Sequence, residues 1–174
     1  NPGGFSNVQM TGCTFDYNGN SNNMSAFYLE KLSDTQITGN TFTDNGPADN
    51  PRAMIINLKY QAYSNVTIQN NIMNETRGSA TNGYGMFIAG RNDGSYASPP
   101  GSLSNVNVTG NELDGYFNGI GFENDVDWNT TTVINNKILN SGSGALYGVS
   151  ANAGLTLNVH NNDFTGSANY AVAN

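Results

Sequence analysis

Apolar and polar residues alternate with a period of two in short runs along the chain, and the runs recur. In Val8-Gln9-Met10-Thr11, Val8 and Met10 fall on one side and Gln9 and Thr11 on the other, which is the pattern of a strand with one buried face. The segment Phe5–Phe15 aligns with Leu32–Phe42, Tyr63–Met73 and Leu103–Leu113, and shorter copies follow at Val133–Ile138 and Val159–Phe164. One position in every copy is Cys13, Asn40, Asn71, Asn111, Asn136 or Asn162, at successive steps of 27, 31, 40, 25 and 26 residues. A helical repeat of this length would show a 3.6-residue apolar period, and a propeller blade needs about 40 residues and four strands. Short strands separated by Gly and Asn corners fit instead one turn of a three-faced solenoid. The expected fold is all-β: a parallel β-helix of about six coils, each about 4.8 Å from the next.

A second apolar strand completes each coil. These strands are Ala26–Leu29, Ala53–Ile56, Gly85–Ile88, Gly119–Phe122, Ala145–Tyr147 and Tyr170–Val172. Each coil therefore reads as strand, tight corner, short strand, variable loop, strand, variable loop. The structural asparagine column, Asn40, Asn71, Asn111, Asn136 and Asn162, is expected to point inward at the corner. Its stacked amides would satisfy one another and the corner backbone, and asparagine tolerates the left-handed backbone of such a bend. Cys13 takes this place in the first coil and reads as a small buried apolar group. Residues 1–174 form one domain. Neither end reads as a polar capping helix, so the domain is expected to be a segment of a longer chain or to associate end to end or laterally.

With Ile37-Thr38-Gly39-Asn40-Thr41-Phe42 and Gly119-Ile120-Gly121-Phe122 in view, the chain resembles the right-handed parallel β-helix superfamily of pectate lyases, polygalacturonases, alginate epimerases and phage tailspikes. The resemblance covers nearly the whole chain. It implies the fold, and it implies a substrate groove on the face of the second strand, walled by the flanking loops. It does not imply a reaction, since the repeat encodes the coil. The Gly-His-Gly and Asp-Asp signatures of the polygalacturonases are missing, and Pro51-Arg52 reverses the arginine–proline order of the lyases.

Alternation along the second strand places Phe27, Leu29, Met54, Ile56, Met86, Ile88, Ile120 and Phe122 inward. The outward set is then Tyr28, Glu30, Ile55, Asn57, Phe87, Ala89, Gly121 and Glu123. Tyr28, Ile55 and Phe87 would be neighbours on adjacent coils, either covered by the long loops or forming a platform on which sugar rings stack. The loops are longest at Thr43–Arg52, Asn74–Tyr84 and Gly90–Ser102. Candidate substrate-binding residues are Tyr28, Glu30, Asn57, Lys59, Phe87, Arg91 and Trp128. Glu123 and Asp125 are the candidate catalytic carboxylates, since glycosidic hydrolysis takes two. No cofactor is required. Asp and Asn oxygens near the face suit Ca²⁺, and no other metal site is expected.

Composition narrows the partners. The formal net charge of −7 disfavours a nucleic acid, and no apolar run of membrane-spanning length is present. Only 11% of residues are charged, against about 25% in typical soluble domains, which suggests an extracellular protein or one on a cell or virion surface. One cysteine, Cys13, and one histidine, His160, lie far apart in the chain and do not suggest a catalytic pair. The first strand's outward columns, Thr11, Thr38, Gln69, Thr109, Ile134, His160 and Gln9, Gln36, Thr67, Asn107, Thr132, Asn158, form an uncharged face suited to a neighbouring subunit. Five glycosylation acceptor motifs stand at Asn23, Asn65, Asn74, Asn107 and Asn129. The functional expectation is an extracellular solenoid that binds, or binds and processes, a polysaccharide. The alternative is a non-catalytic structural or adhesive segment, as in an adhesin, tail fibre or filament.

Overall fold

A computed structural model describes residues 5–19, 25–150 and 157–173. Three parallel sheets of five or six strands wrap one core, and a fourth, two-stranded one pairs Phe5–Ser6 with Leu32–Ser33. The first stacks Gln9–Thr11, Thr35–Thr38, Ala62–Gln69, Ser102–Thr109, Thr131–Ile134 and Asn158–His160. The second stacks Thr14–Asp16, Thr41–Thr43, Ile72–Asn74, Glu112–Asp114 and Lys137–Leu139. The third stacks Phe27–Leu29, Arg52–Leu58, Tyr84–Gly90, Asn118–Asn124, Gly144–Ser150 and Tyr170–Ala173. All neighbouring strands are parallel, and the register follows the sequence repeat: Thr11, Thr38, Gln69, Thr109, Ile134 and His160 stand in one column. The chain is a parallel β-helix. It completes about five turns rather than six, because the last copy makes only an isolated bridge, Lys137 to Asp163, in the second sheet. The two described helices are single 3₁₀ turns, Gly94–Tyr96 and Trp128–Thr130, and neither is long enough to cross a membrane.

The core is the set of inward residues that the alternation selects. Ile37, Phe42, Met54, Ile56, Met73, Met86, Ile88, Ile120 and Phe122 are all fully buried. No coil could bury these alone, so stacking is what makes the fold stable. Phe15 and Phe42 show the stacking directly, with ring centroids 4.7 Å apart and planes 8° from parallel.

The asparagines form a continuous inner ladder. Asn40 Nδ2 donates to Asn71 Oδ1 at 2.9 Å, Asn71 to Asn111 at 2.9 Å, Asn111 to Asn136 at 3.0 Å and Asn136 to Asn162 at 2.9 Å. Each Oδ1 also accepts the backbone N–H of the preceding coil's column residue, beginning with Cys13. Each Nδ2 also donates to a strand carbonyl of the preceding coil, from Met10 O to Val133 O. The inner amides, Asn71, Asn111 and Asn136, are thus saturated although buried.

Two expectations about this corner are corrected. The left-handed residue is the one before the ladder asparagine: Gly39, Asn70, Gly110, Asn135 and Asn161 have φ between 54° and 65°. At Gly110 a Cβ would also lie 2.4 Å from Asn70 Oδ1. Cys13 is exposed, not buried, because among the described residues no further coil stacks on that side of it. His160 is exposed in the sixth strand of the first sheet, remote from Cys13 in the first coil.

Candidate functional site

The third sheet carries the candidate site on its outer face. Tyr28, Ile55, Phe87, Gly121 and Tyr147 are paired in one outward column, with Asn57, Ala89 and Glu123 in the next. Tyr28 is 47% exposed, Phe87 is half-buried and Ile55 is 4% exposed. A cleft of 380 Å³ opens over this column, lined by Tyr28, Arg52, Ile55, Asn57, Tyr84, Phe87, Arg91 and Glu123.

Arg52 and Tyr84 reach the cleft through a break in the alternation. Ala53 is fully buried, as is Met54 after it. A Cβ at Gly85 would meet Leu113 at 2.7 Å, and one at Gly119 would meet Ile138 at 2.2 Å. Two successive positions therefore face the core at the start of each strand, and the inner one has room only for Ala or Gly. The residue before them, Arg52 or Tyr84, is turned outward. The Tyr84 and Phe87 rings lie 5.2 Å apart and lean over Gly121, where a Cβ would be 2.6 Å from Tyr84 Cε1.

A polar network closes one side. Tyr28 Oη donates to Glu30 Oε1 at 2.9 Å. It accepts from Asn57 Nδ2 at 3.1 Å and from Lys59 Nζ at 3.3 Å, while Lys59 also pairs with Glu30. Lys59 holds the Glu30 carboxyl below its ordinary range. Burial alone would lower the Lys59 ammonium, but its bonds to Glu30 and the tyrosines outweigh this and raise it. The 91–101 loop is anchored to the same network through Tyr96. That ring lies 4.5 Å from Lys59 Nζ and 4.9 Å from the Arg91 guanidinium carbon, with Tyr60 edge-on at 5.7 Å. Arg91 forks onto Asp93 at 2.5 and 2.7 Å.

The predicted residues divide. Tyr28, Asn57, Phe87, Arg91 and Glu123 line the cleft, and Glu30 and Lys59 brace its rim through Tyr28. Asp125 is half-buried and does not line it, since the strand ends at Asn124 and the chain turns. Trp128 is 6% exposed and belongs to the core. Its ring fills the space over Gly148, where a Cβ would lie 2.7 Å from Trp128 Cζ2. Gly148 stands in the inward column that holds Ile88 and Phe122 in earlier coils, so the tryptophan replaces a missing side chain and is no part of the outer face. Among the described residues no three His, Cys, Asp or Glu side chains are grouped to hold a metal ion.

Of the acceptor motifs, Asn65 and Asn107 are exposed but bonded, Asn65 to Asp34 at 2.6 Å and Asn107 to Thr132. Asn74 is half-buried and Asn129 exposed on a turn. Asn23 lies outside the described residues.

Burial raises the Glu123 carboxyl, with Arg91 opposing and Asp93 adding to the shift. Because its folded-state value is raised, Glu123 contributes stability that is fully present below the ordinary glutamate range, near pH 4, and is lost as pH rises through the folded value. Glu123→Gln is therefore expected to raise Tm at pH 7 and to leave it unchanged at acid pH, as scanning calorimetry at the two values would show.

The comparisons with known proteins give no further identity: no protein-family model, curated protein or solved structure matches the chain.

Proposed function

We propose that this β-helix binds a polysaccharide along the outer face of the third sheet, outside the cell or on a cell or virion surface. The observation that carries this is the aromatic platform. Tyr28 stands on one side of an open cleft and Tyr84 and Phe87, two coils further on, stand on the other, and the network of Glu30, Lys59 and Asn57 fixes the Tyr28 hydroxyl in place. Aromatic faces held in fixed orientation suit the apolar faces of sugar rings, and they lose little entropy on binding. Coils about 4.8 Å apart repeat the surface along an extended chain.

Binding is favoured over cleavage because Glu123 alone of the two candidate carboxylates lines the cleft, and hydrolysis takes a pair. Affinity electrophoresis against acidic and neutral polysaccharides is expected to show retardation by at least one. Tyr28→Ala combined with Phe87→Ala is expected to weaken it about tenfold or more, with viscosity of the polymer unchanged throughout. Retardation by none of the polymers leaves the structural or adhesive role, in which the amide ladder stiffens a spacer.

A further inference from the structure

We infer that the polysaccharide site continues past the cleft onto Tyr60, at the corner between the third and first sheets, where a further sugar ring stacks. This rests on the polysaccharide-binding reading above and extends its site.

The backbone at Tyr60 is the first observation. Tyr60 lies in the turn between the strands Arg52–Leu58 and Ala62–Gln69, and its φ is 75°. That region is costly for a bulky side chain and nearly free for glycine. Among the described residues, the other non-glycine positions with positive φ are Asn or Asp, except for Tyr17. The short polar side chains of Asn and Asp tolerate this backbone, and Tyr17 is compensated by a hydrogen bond from its hydroxyl to Asp44. Tyr60 has no such bond among the described residues, and 42% of it is exposed. A turn that glycine or asparagine could make with less strain therefore carries an exposed aromatic ring. Strain of this kind clusters where function needs the side chain.

The setting of the ring is the second observation. Tyr60 meets the Tyr96 ring at 5.7 Å, and Lys31 Nζ stands 5.8 Å over it. Tyr96 in turn lies 4.5 Å from Lys59 Nζ, which is 5.9 Å from the Tyr28 ring at the cleft. A continuous chain of rings and cations thus leads from the cleft round the corner to Tyr60. Every cation–π contact among the described residues belongs to this chain. A sugar ring needs both parts of such a place: the tyrosine takes its apolar face, and the Lys31 ammonium donates to hydroxyls at its rim. A ring already fixed by its neighbours loses little freedom on binding.

The test is titration calorimetry against hexasaccharides of glucose, galactose, mannose, galacturonate and mannuronate. For each one that binds, Tyr60→Phe is expected to retain the affinity and Tyr60→Leu to lower it about tenfold. Leucine keeps an apolar contact with Tyr96 and the same backbone strain, so the Tm of Tyr60→Leu is expected to stay within about 4 °C of the wild type. Tyr60→Gly and Tyr60→Ala are both expected to lose affinity, with the glycine variant melting higher because glycine alone escapes the strain. Unchanged affinity in Tyr60→Leu reduces Tyr60 to an anchor for the 91–101 loop and overturns the subsite, while sustaining binding at the cleft. A Tyr60→Gly variant that melts below Tyr60→Ala overturns the strain on which the subsite is argued. Failure of every hexasaccharide to bind the wild-type protein overturns the polysaccharide reading, and the subsite with it.

Discussion

Asn111→Ala is expected to destabilise the protein by about 4 kcal/mol or more, a large part of the 5–15 kcal/mol that holds a typical domain folded. Asn111 is 1% exposed at the middle of the ladder. Its Oδ1 accepts both the backbone N–H and the amide of Asn71, and its Nδ2 donates to Ile68 O and Asn136 Oδ1. Truncation removes these four bonds and a longer one from Nδ2 to Thr109 O at 3.3 Å. It also strands the Asn71 N–H and the Ile68 carbonyl inside the core, where each unpaired group costs about 1–3 kcal/mol. Asn162→Ala removes three bonds of the same kind, but at the half-buried end of the ladder, where water can replace them. Its expected cost is about 1–2 kcal/mol. Urea titration followed by circular dichroism and by fluorescence of Trp128, the single tryptophan, measures both. Equal losses at the two positions would show that the ladder does not act as a buried network.

The ladder is also where the sequence spoke most plainly. The step between asparagines gave the coil, and the period of two gave the inward face, so Met54, Ile56, Met86 and Ile88 follow from pattern alone. The site was less legible because pattern is a weaker guide where it breaks. Strict alternation puts Arg52 and Tyr84 inside. Crowding at Gly85 and Gly119 forces a second inward residue and turns them out. A column of only alanine and glycine, Ala26, Ala53, Gly85, Gly119 and Ala145, was the signal for this. Trp128 was misplaced for the converse reason. A glycine in an inward column, Gly148, leaves a hole, and the nearest large apolar side chain fills it. Tyr96 had no such signal, since its position depends on the path of the 91–101 loop and on the two cations that meet its ring.

The second large effect is expected at Arg77, which sequence pattern did not single out and which ties neighbouring coils together. Glu75 has a fully buried side chain, and Arg77 clamps it with Nε to Oε1 at 2.8 Å and Nη2 to Oε2 at 2.5 Å. The same guanidinium reaches across to the preceding coil, donating to Gly46 O at 3.0 Å and lying 3.9 Å from Asp44. Burial pushes the Asp44 carboxyl up, but the Thr76 amide and hydroxyl, Tyr17 and Arg77 together bring it below its ordinary value. Arg77→Ala leaves the Glu75 carboxylate buried with only the Arg77 N–H at 3.0 Å, for an expected loss of about 3–5 kcal/mol. Arg77→Lys keeps the charge but not the planar fork, so its loss is expected to be intermediate. The double variant Arg77→Ala with Glu75→Gln isolates the cause. If the loss comes from stranding a charge, neutralising Glu75 recovers much of it, and the coupling in the double-mutant cycle exceeds about 1 kcal/mol. If Arg77→Ala costs less than about 1 kcal/mol, the pair behaves as an exposed one, and the coils are held by the core and the ladder alone.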